Sequence, residues 1–132
     1  METPTLQPNA PTLDNHVFFA LAHAVLNGDA LLARSLAQDL YRHPVQLAQV
    51  PPPADTDPRM LALTAGLLEL FAARLNQPSP EWTKLVGRLP QPIYLVQAAL
   101  HMKHLRELCE QHAPEPLRSR RLYAPPNYLE MV

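Results

Sequence analysis

One cysteine, three glycines and a net charge of −1 are the scarcities that first limit this 132-residue chain. The lone Cys109 excludes an intramolecular disulfide. With so few glycines there is no glycine-rich loop to cradle a phosphate, and no serine sits in a nucleophile elbow. A charge so near zero gives no global electrostatic reason to bind nucleic acid or an anionic membrane. Nor does any apolar run approach the roughly 20 residues needed to cross a bilayer, because His16, His23, Asn27, Arg34, Glu69 and Arg74 interrupt the longest candidates. The first residues carry neither a basic n-region nor a long apolar h-region, so a cytoplasmic location is expected.

What is abundant is proline. The 16 prolines fall between apolar runs rather than inside them, which is how proline starts and stops helices. With 47% hydrophobic residues the chain is long enough for one domain with its own core. The expected fold is all-α, a compact bundle of five or six helices with an extended basic-aromatic C-terminal tail. Within a single domain over 1–132, residues 1–11 read as a loose leader and 12–50 as an N-terminal helical hairpin. Residues 51–57 read as a proline-rich connector, 58–113 as core helices and 114–132 as a docked tail.

Local signals place the helices. Phe18, Leu21, Ala22, Val25 and Leu26 recur at spacings of three and four in a helix predicted to start near Leu13 or Asp14, and Asn27-Gly28 ends it with a left-handed cap. Asp29 caps a second helix whose buried face is predicted from Leu32, Leu36 and Leu40, with Ala33 and Ala37 beside them, until His43-Pro44 stops it. Val45–Val50 suggests one short helix. Asp57-Pro58 pairs a cap with a first-turn proline and opens a long apolar helix to about Asn76, the expected central helix. Gly66 inside it costs about 1 kcal/mol against alanine, which marks either a close helix crossing or simple tolerance. Ser79-Pro80 repeats the start signal for a short helix through Val86, anchored by Trp82. Leu95, Ala98, Met102, Leu105, Cys109 and His112 then alternate spacings of three and four, predicting a last long helix from Ile93 to Ala113.

That last segment also holds His101, His104, Cys109 and His112. At about 1.5 Å rise per residue, His101 and Cys109 lie roughly 12 Å apart on a helix, so the four cannot converge on one ion. Ordinary helix-face histidines and a small buried thiol explain them, and no metal, cofactor or catalytic residue is assigned. The chemistry that remains is recognition. Arg118, Arg120 and Arg121, interleaved with Leu122, Tyr123 and Tyr128, combine the residue types enriched at protein interfaces. The same set suits phosphates and stacked bases, or the solvation of a packed tail. Charge is segregated: residues 1–57 hold six acids and two bases, whereas residues 58–132 hold six acids and nine bases.

Two resemblances accompany these patterns. Ala24, Gly28-Asp29, Ala33, Ala37, Leu40 and Pro44 make residues 17–44 resemble a single tetratricopeptide hairpin, with no second copy at a 34-residue period. From Asp57 onward the chain resembles a group of bacterial antitoxin-like or regulator-like proteins, on the strength of four stretches. They are Asp57 to Leu70, Pro80-Glu81-Trp82-Thr83, Leu89-Pro90-Gln91-Pro92-Ile93-Tyr94, and Ala113 to Leu129. The resemblance implies a non-enzymatic protein that neutralises or regulates a partner, a toxin or a second copy of itself. Similar proteins can carry an N-terminal helix-turn-helix, and the region before Asp57 departs from that pattern. A helix-turn-helix over Leu31–Val50 would offer only Gln46 and Gln49 to bases. The expected function is therefore protein interaction through Arg118, Arg120, Arg121, Tyr123 and Tyr128. The alternatives are a DNA-binding transcriptional regulator and a hydrolase or metal enzyme with a nonlocal site.

Overall fold

Capping chemistry sets the helix boundaries in the computed structural model, which describes residues 9–43, 45–54 and 57–130, with side chains in the first helix from Val17 onward. Residues 1–8 of the expected leader, Pro44, Asp55 and Thr56 of the expected connector, and the terminal Met131 and Val132 lie outside the described residues. Helix α1 spans Asn9–Leu26, starting earlier than the apolar stripe suggests, since Pro11 falls in its first turn where a missing N–H breaks no bond. Its end is the expected glycine cap: Gly28 has φ 76°, its N–H donates to Val25 O at 3.1 Å, and the Asp29 N–H donates to Ala24 O at 2.9 Å. Those two bonds satisfy the last-turn carbonyls and reverse the chain. Asp29 then caps α2, Ala30–Arg42, its Oδ1 accepting the Leu32 N–H at 3.2 Å.

The buried face of α2 is narrower than expected. Ala33, Ala37 and Leu40 are buried, whereas Leu31 is 81% and Leu32 44% exposed. Alanines on the contact row let α1 and α2 approach closely, and the leucines one position earlier on the helix turn out to solvent. Residues 47–49 form a single 3-10 turn.

Helix α3, Pro58–Leu75, is the centre of the molecule. Asp57 caps it through a 2.9 Å bond from the Arg59 N–H to Oδ1, and Asn76 closes it in the left-handed conformation at φ 60°. Arg59 also clasps the same carboxylate, which holds Asp57 below its ordinary range. Buried residues occur all around α3, as a helix packed on several sides requires. On the hairpin side, Phe71 meets Phe18 edge-on at 5.8 Å and stacks on Tyr41 at 5.1 Å. Beyond α3, Glu81–Leu85 forms a 3-10 helix preceded by Pro80, one residue later than the Ser79 cap predicts. Trp82 anchors it, with Nε1 donating to Val50 O at 2.8 Å.

The largest correction concerns Ile93 to Ala113, which is not one helix. Ile93–Tyr94 is a strand, β1; Gln97–Leu100 is a 3-10 turn; only Lys103–His112 is helical, as α4. Helix α5, Glu115–Arg118, follows, and then a second strand, β2, Leu122–Tyr123. The strands pair in parallel with Ile93 opposite Leu122 and Tyr94 opposite Tyr123. The Ile93 N–H donates to Arg121 O and the Leu95 N–H to Tyr123 O, both at 2.9 Å. Pro90 and Pro92 keep the approach extended, and Ile93, Tyr94 and Val96 are strand-favouring types, so the backbone bonds to the C-terminal segment instead of to itself. The fold is thus mostly helical with a two-stranded sheet. Its C-terminal segment is a helix, a turn and a strand rather than one extended tail.

Gly66 marks a close crossing. A Cβ built there would stand 2.8 Å from Leu117 Cδ2 and 3.3 Å from Pro116 O, because α5 lies directly on α3. Gly66→Ala gains about 1 kcal/mol of helix propensity but incurs an overpacking cost of about 1–3 kcal/mol. The expected net result is a lower urea midpoint; an unchanged or higher midpoint would mean that α5 shifts freely.

Candidate interaction surface

One side chain of the C-terminal segment ties it to α3. Arg120, only 5% exposed, reaches between α3, α5 and the loop after Trp82. Its Nε donates to Val86 O at 3.1 Å. Its Nη1 donates to Glu69 Oε1 at 2.9 Å and Pro116 O at 2.7 Å, and its Nη2 to Glu69 Oε2 at 3.0 Å and Thr83 O at 2.8 Å. Every N–H of the guanidinium is used, and the fork meets the carboxylate with both nitrogens. Arg120, expected to face a partner, therefore faces inward. The reason is Glu69, the one acid on α3, whose largely enclosed charge needs an equally enclosed opposite charge.

The other predicted residues divide between two places. Arg118 lies at the surface, its side chain 40% exposed, with Nη1 on Gln111 O at 2.9 Å and Nη2 on Glu115 Oε1 at 2.8 Å. Arg121 turns the chain into β2 at φ 66°, and its Nη1 donates to Pro90 O at 2.6 Å. Tyr123 is half-buried against Tyr94, ring centres 5.5 Å apart. Tyr123 and Tyr94 lie beside α4: the Tyr94 hydroxyl donates to Glu110, and Arg106, whose charge acts on the Tyr94 phenol, reaches Leu100 O with its Nη1 at 3.4 Å. Leu100 and Met102, just before α4, are both more than half exposed. Tyr128 is elsewhere. It belongs to the turn after β2, lines a cleft against α1 and α2, and has its phenol pushed well above its ordinary value by burial.

Sequence reading missed Tyr94, Arg106, Glu110 and Glu69. A signal was present for Tyr94: an isoleucine-tyrosine pair just after two prolines fits a strand better than a helix start. Nothing local marked Glu69 as the partner of Arg120, 51 positions away.

The Glu110 hydrogen bond, followed by burial and the Glu110 charge, pushes the Tyr94 phenol from 10.0 up to about 12. Because the neutral form is the one favoured by folding, this contact stabilises fully below pH 10 and is lost as pH rises towards 12. Phenolate absorbance should show Tyr94 titrating late, Tyr94→Phe should remove that late step, and Glu110→Gln should bring it down. A Tyr94 that ionises near 10 in the parent protein would contradict the contact.

Of the histidines and cysteine, His101, His104 and His112 are exposed, while Cys109 is buried and its thiol pushed up by that burial. Among the described residues, no three of His, Cys, Asp and Glu gather where they could hold one ion. The segment considered as a recognition helix forms only the 3-10 turn Leu47–Gln49, too short to lie along a major groove. No helix among the described residues is long and apolar enough to cross a membrane. In comparisons with known proteins, the chain matches no family model, no curated sequence and no solved structure.

Proposed function

We propose that this chain is a non-enzymatic interaction protein, an antitoxin-like neutraliser or regulator acting in the cytoplasm, that grips a carboxylate-bearing protein partner with the face of Arg106, Arg118, Arg121, Tyr94 and Tyr123. The observation that carries this reading is the combination of surface arginines and a tyrosine pair on a scaffold fixed from within by Arg120. A preorganised face loses little side-chain entropy on binding, and arginine and tyrosine dominate interface energetics for that reason among others. The partner's chemistry follows from charge: the chain from residue 58 onward carries nine bases against six acids, so complementarity favours an acidic surface. Arg118 already pairs with Glu115, and both Arg118 and Arg121 touch backbone carbonyls, so the remaining N–H groups of each fork are those left to meet a partner's carboxylate.

Co-expression with the products of adjacent genes tests this. The expected result is neutralisation of a toxic product by the parent protein and its loss in the Arg118→Ala, Tyr123→Ala double variant, with purified affinity falling about 30-fold or more while the circular dichroism melt stays cooperative. Full neutralisation by a folded double variant, or no effect of the parent on any adjacent product, would overturn the reading.

A further inference from the structure

A cleft of about 650 Å3 is walled by the α1–α2 hairpin, the turn after β1 and the turn after β2. We infer that this cleft is a binding site for an apolar small molecule that ends in a carboxylate. Its apolar lining comes from Ala24 and Val25 of α1, Ala33 and Ala37 of α2, Leu95 and Leu129. Its size is that of ligand sites in general, which are mostly apolar with a few polar groups that set orientation.

The polar lining points to the ligand. Arg34, Gln38, Gln97, Asn127, Tyr128 and Glu130 contribute to it. Among the described residues, the side chains of Arg34, Gln38, Gln97 and Asn127 and the Tyr128 hydroxyl make no hydrogen bond or ion pair with one another or with the rest of the chain. Of the other arginines, Arg74, Arg106, Arg118, Arg120 and Arg121 donate to protein oxygens, whereas among the described residues Arg42 and Arg88, like Arg34, do not.

Arg34 and Gln38 stand one helical turn apart on α2, so a guanidinium and an amide reach the same end of the cleft. Both are carried by α2, whose Ala33, Ala37 and Leu40 are buried, which fixes their backbone positions. Across from them the Tyr128 phenol is neutral and held so by burial. A phenol O–H, an amide and an unpaired guanidinium together form a donor set, and a carboxylate accepts from a guanidinium in the bidentate fork that Arg120 makes with Glu69 inside this same protein. Glu130 is the one acid in the lining. It is exposed, as Arg34 is, so water screens both charges, and the Gln38 amide and the neutral Tyr128 phenol add donors to that of Arg34.

Isothermal titration calorimetry with decanoate and with decylamine, both below their micelle concentrations, tests the inference. Decanoate is expected to bind with a stoichiometry near one and to raise the melting temperature, and decylamine to bind at least about tenfold more weakly. Arg34→Gln, at an exposed position whose loss removes no internal contact, should melt like the parent yet weaken decanoate about tenfold. Tyr128→Phe should keep the ring and weaken it a few-fold. No heat with decanoate, equal binding of the amine, or full affinity in Arg34→Gln would each overturn the site. None of these outcomes bears on the arginine-tyrosine face, whose residues are untouched.

Discussion

Arg120→Ala is expected to destabilise the protein by about 3–5 kcal/mol, the range for breaking a buried ion pair and leaving its partner charge enclosed. The loss has three parts. Glu69 keeps a charge without its counter-ion, the carbonyls of Thr83, Val86 and Pro116 lose their donor, and the guanidinium volume becomes a gap between α3 and α5. Arg120→Lys should recover little, because an ammonium has three donors and no planar fork to span five acceptors. Glu69→Leu combined with Arg120→Met should recover much more, since it removes both charges and refills the space. Urea denaturation of the four proteins measures all of this. If Arg120→Ala proved nearly as stable as the parent, or if lysine fully replaced arginine, the clamp would not be what holds the C-terminal segment to α3.

The second large effect is expected at Phe71→Ala, with a loss of about 3–5 kcal/mol. Phe71 is fully buried and touches Phe18 of α1 edge-on and Tyr41 of α2 face-on, so a single side chain joins both hairpin helices to α3. Each aromatic pair adds about 0.5–1.5 kcal/mol beyond its buried area. Phe71→Leu should cost distinctly less, because it retains most of the apolar volume and loses only ring geometry. Comparable losses for alanine and leucine would show that the ring contacts, not the volume, dominate. Both variants are also expected to weaken the Arg74 bridge, whose Nη1 donates to Tyr41 Oη at 3.0 Å and to Tyr128 O at 2.6 Å, since Tyr41 rests on Phe71.

These two side chains also show what a sequence can and cannot reveal here. The glycine turn at Gly28, the caps at Asp29 and Asp57, the first-turn Pro58 and the helix end near Asn76 were all legible, because each acts on backbone within a few residues of itself. Gly66 was half legible: its cost in a helix is a local fact, but the reason for it is Leu117, far along the chain. Arg120 was illegible. In sequence it stands between two other basic residues and looks like them, and only a carboxylate on another helix turns it inward. The strands failed differently. Leu95, Cys109 and the residues between them mimic a helical seam, yet the hydrogen bonds of Ile93 and Leu95 go to partners near residue 122, which no local period encodes. Leu31 and Leu32 show a smaller version of the same limit. Alternating leucines and alanines define two possible faces, and the close approach of the hairpin selects the alanines.

Pairing of β1 with β2 has a consequence for biosynthesis. Leu117, Leu122 and Ala124 have no solvent exposure at all, and they pack in places that α3 and β1 hold open for them. A ribosome delivers the hairpin and α3 long before these residues emerge, so the apolar side of α3 around Gly66 stays uncovered through much of translation. Closure then depends on contacts remote in the chain, which are the slow ones to form. The nascent protein is therefore most open to chaperones and to aggregation in the interval just before its C-terminal residues leave the exit tunnel.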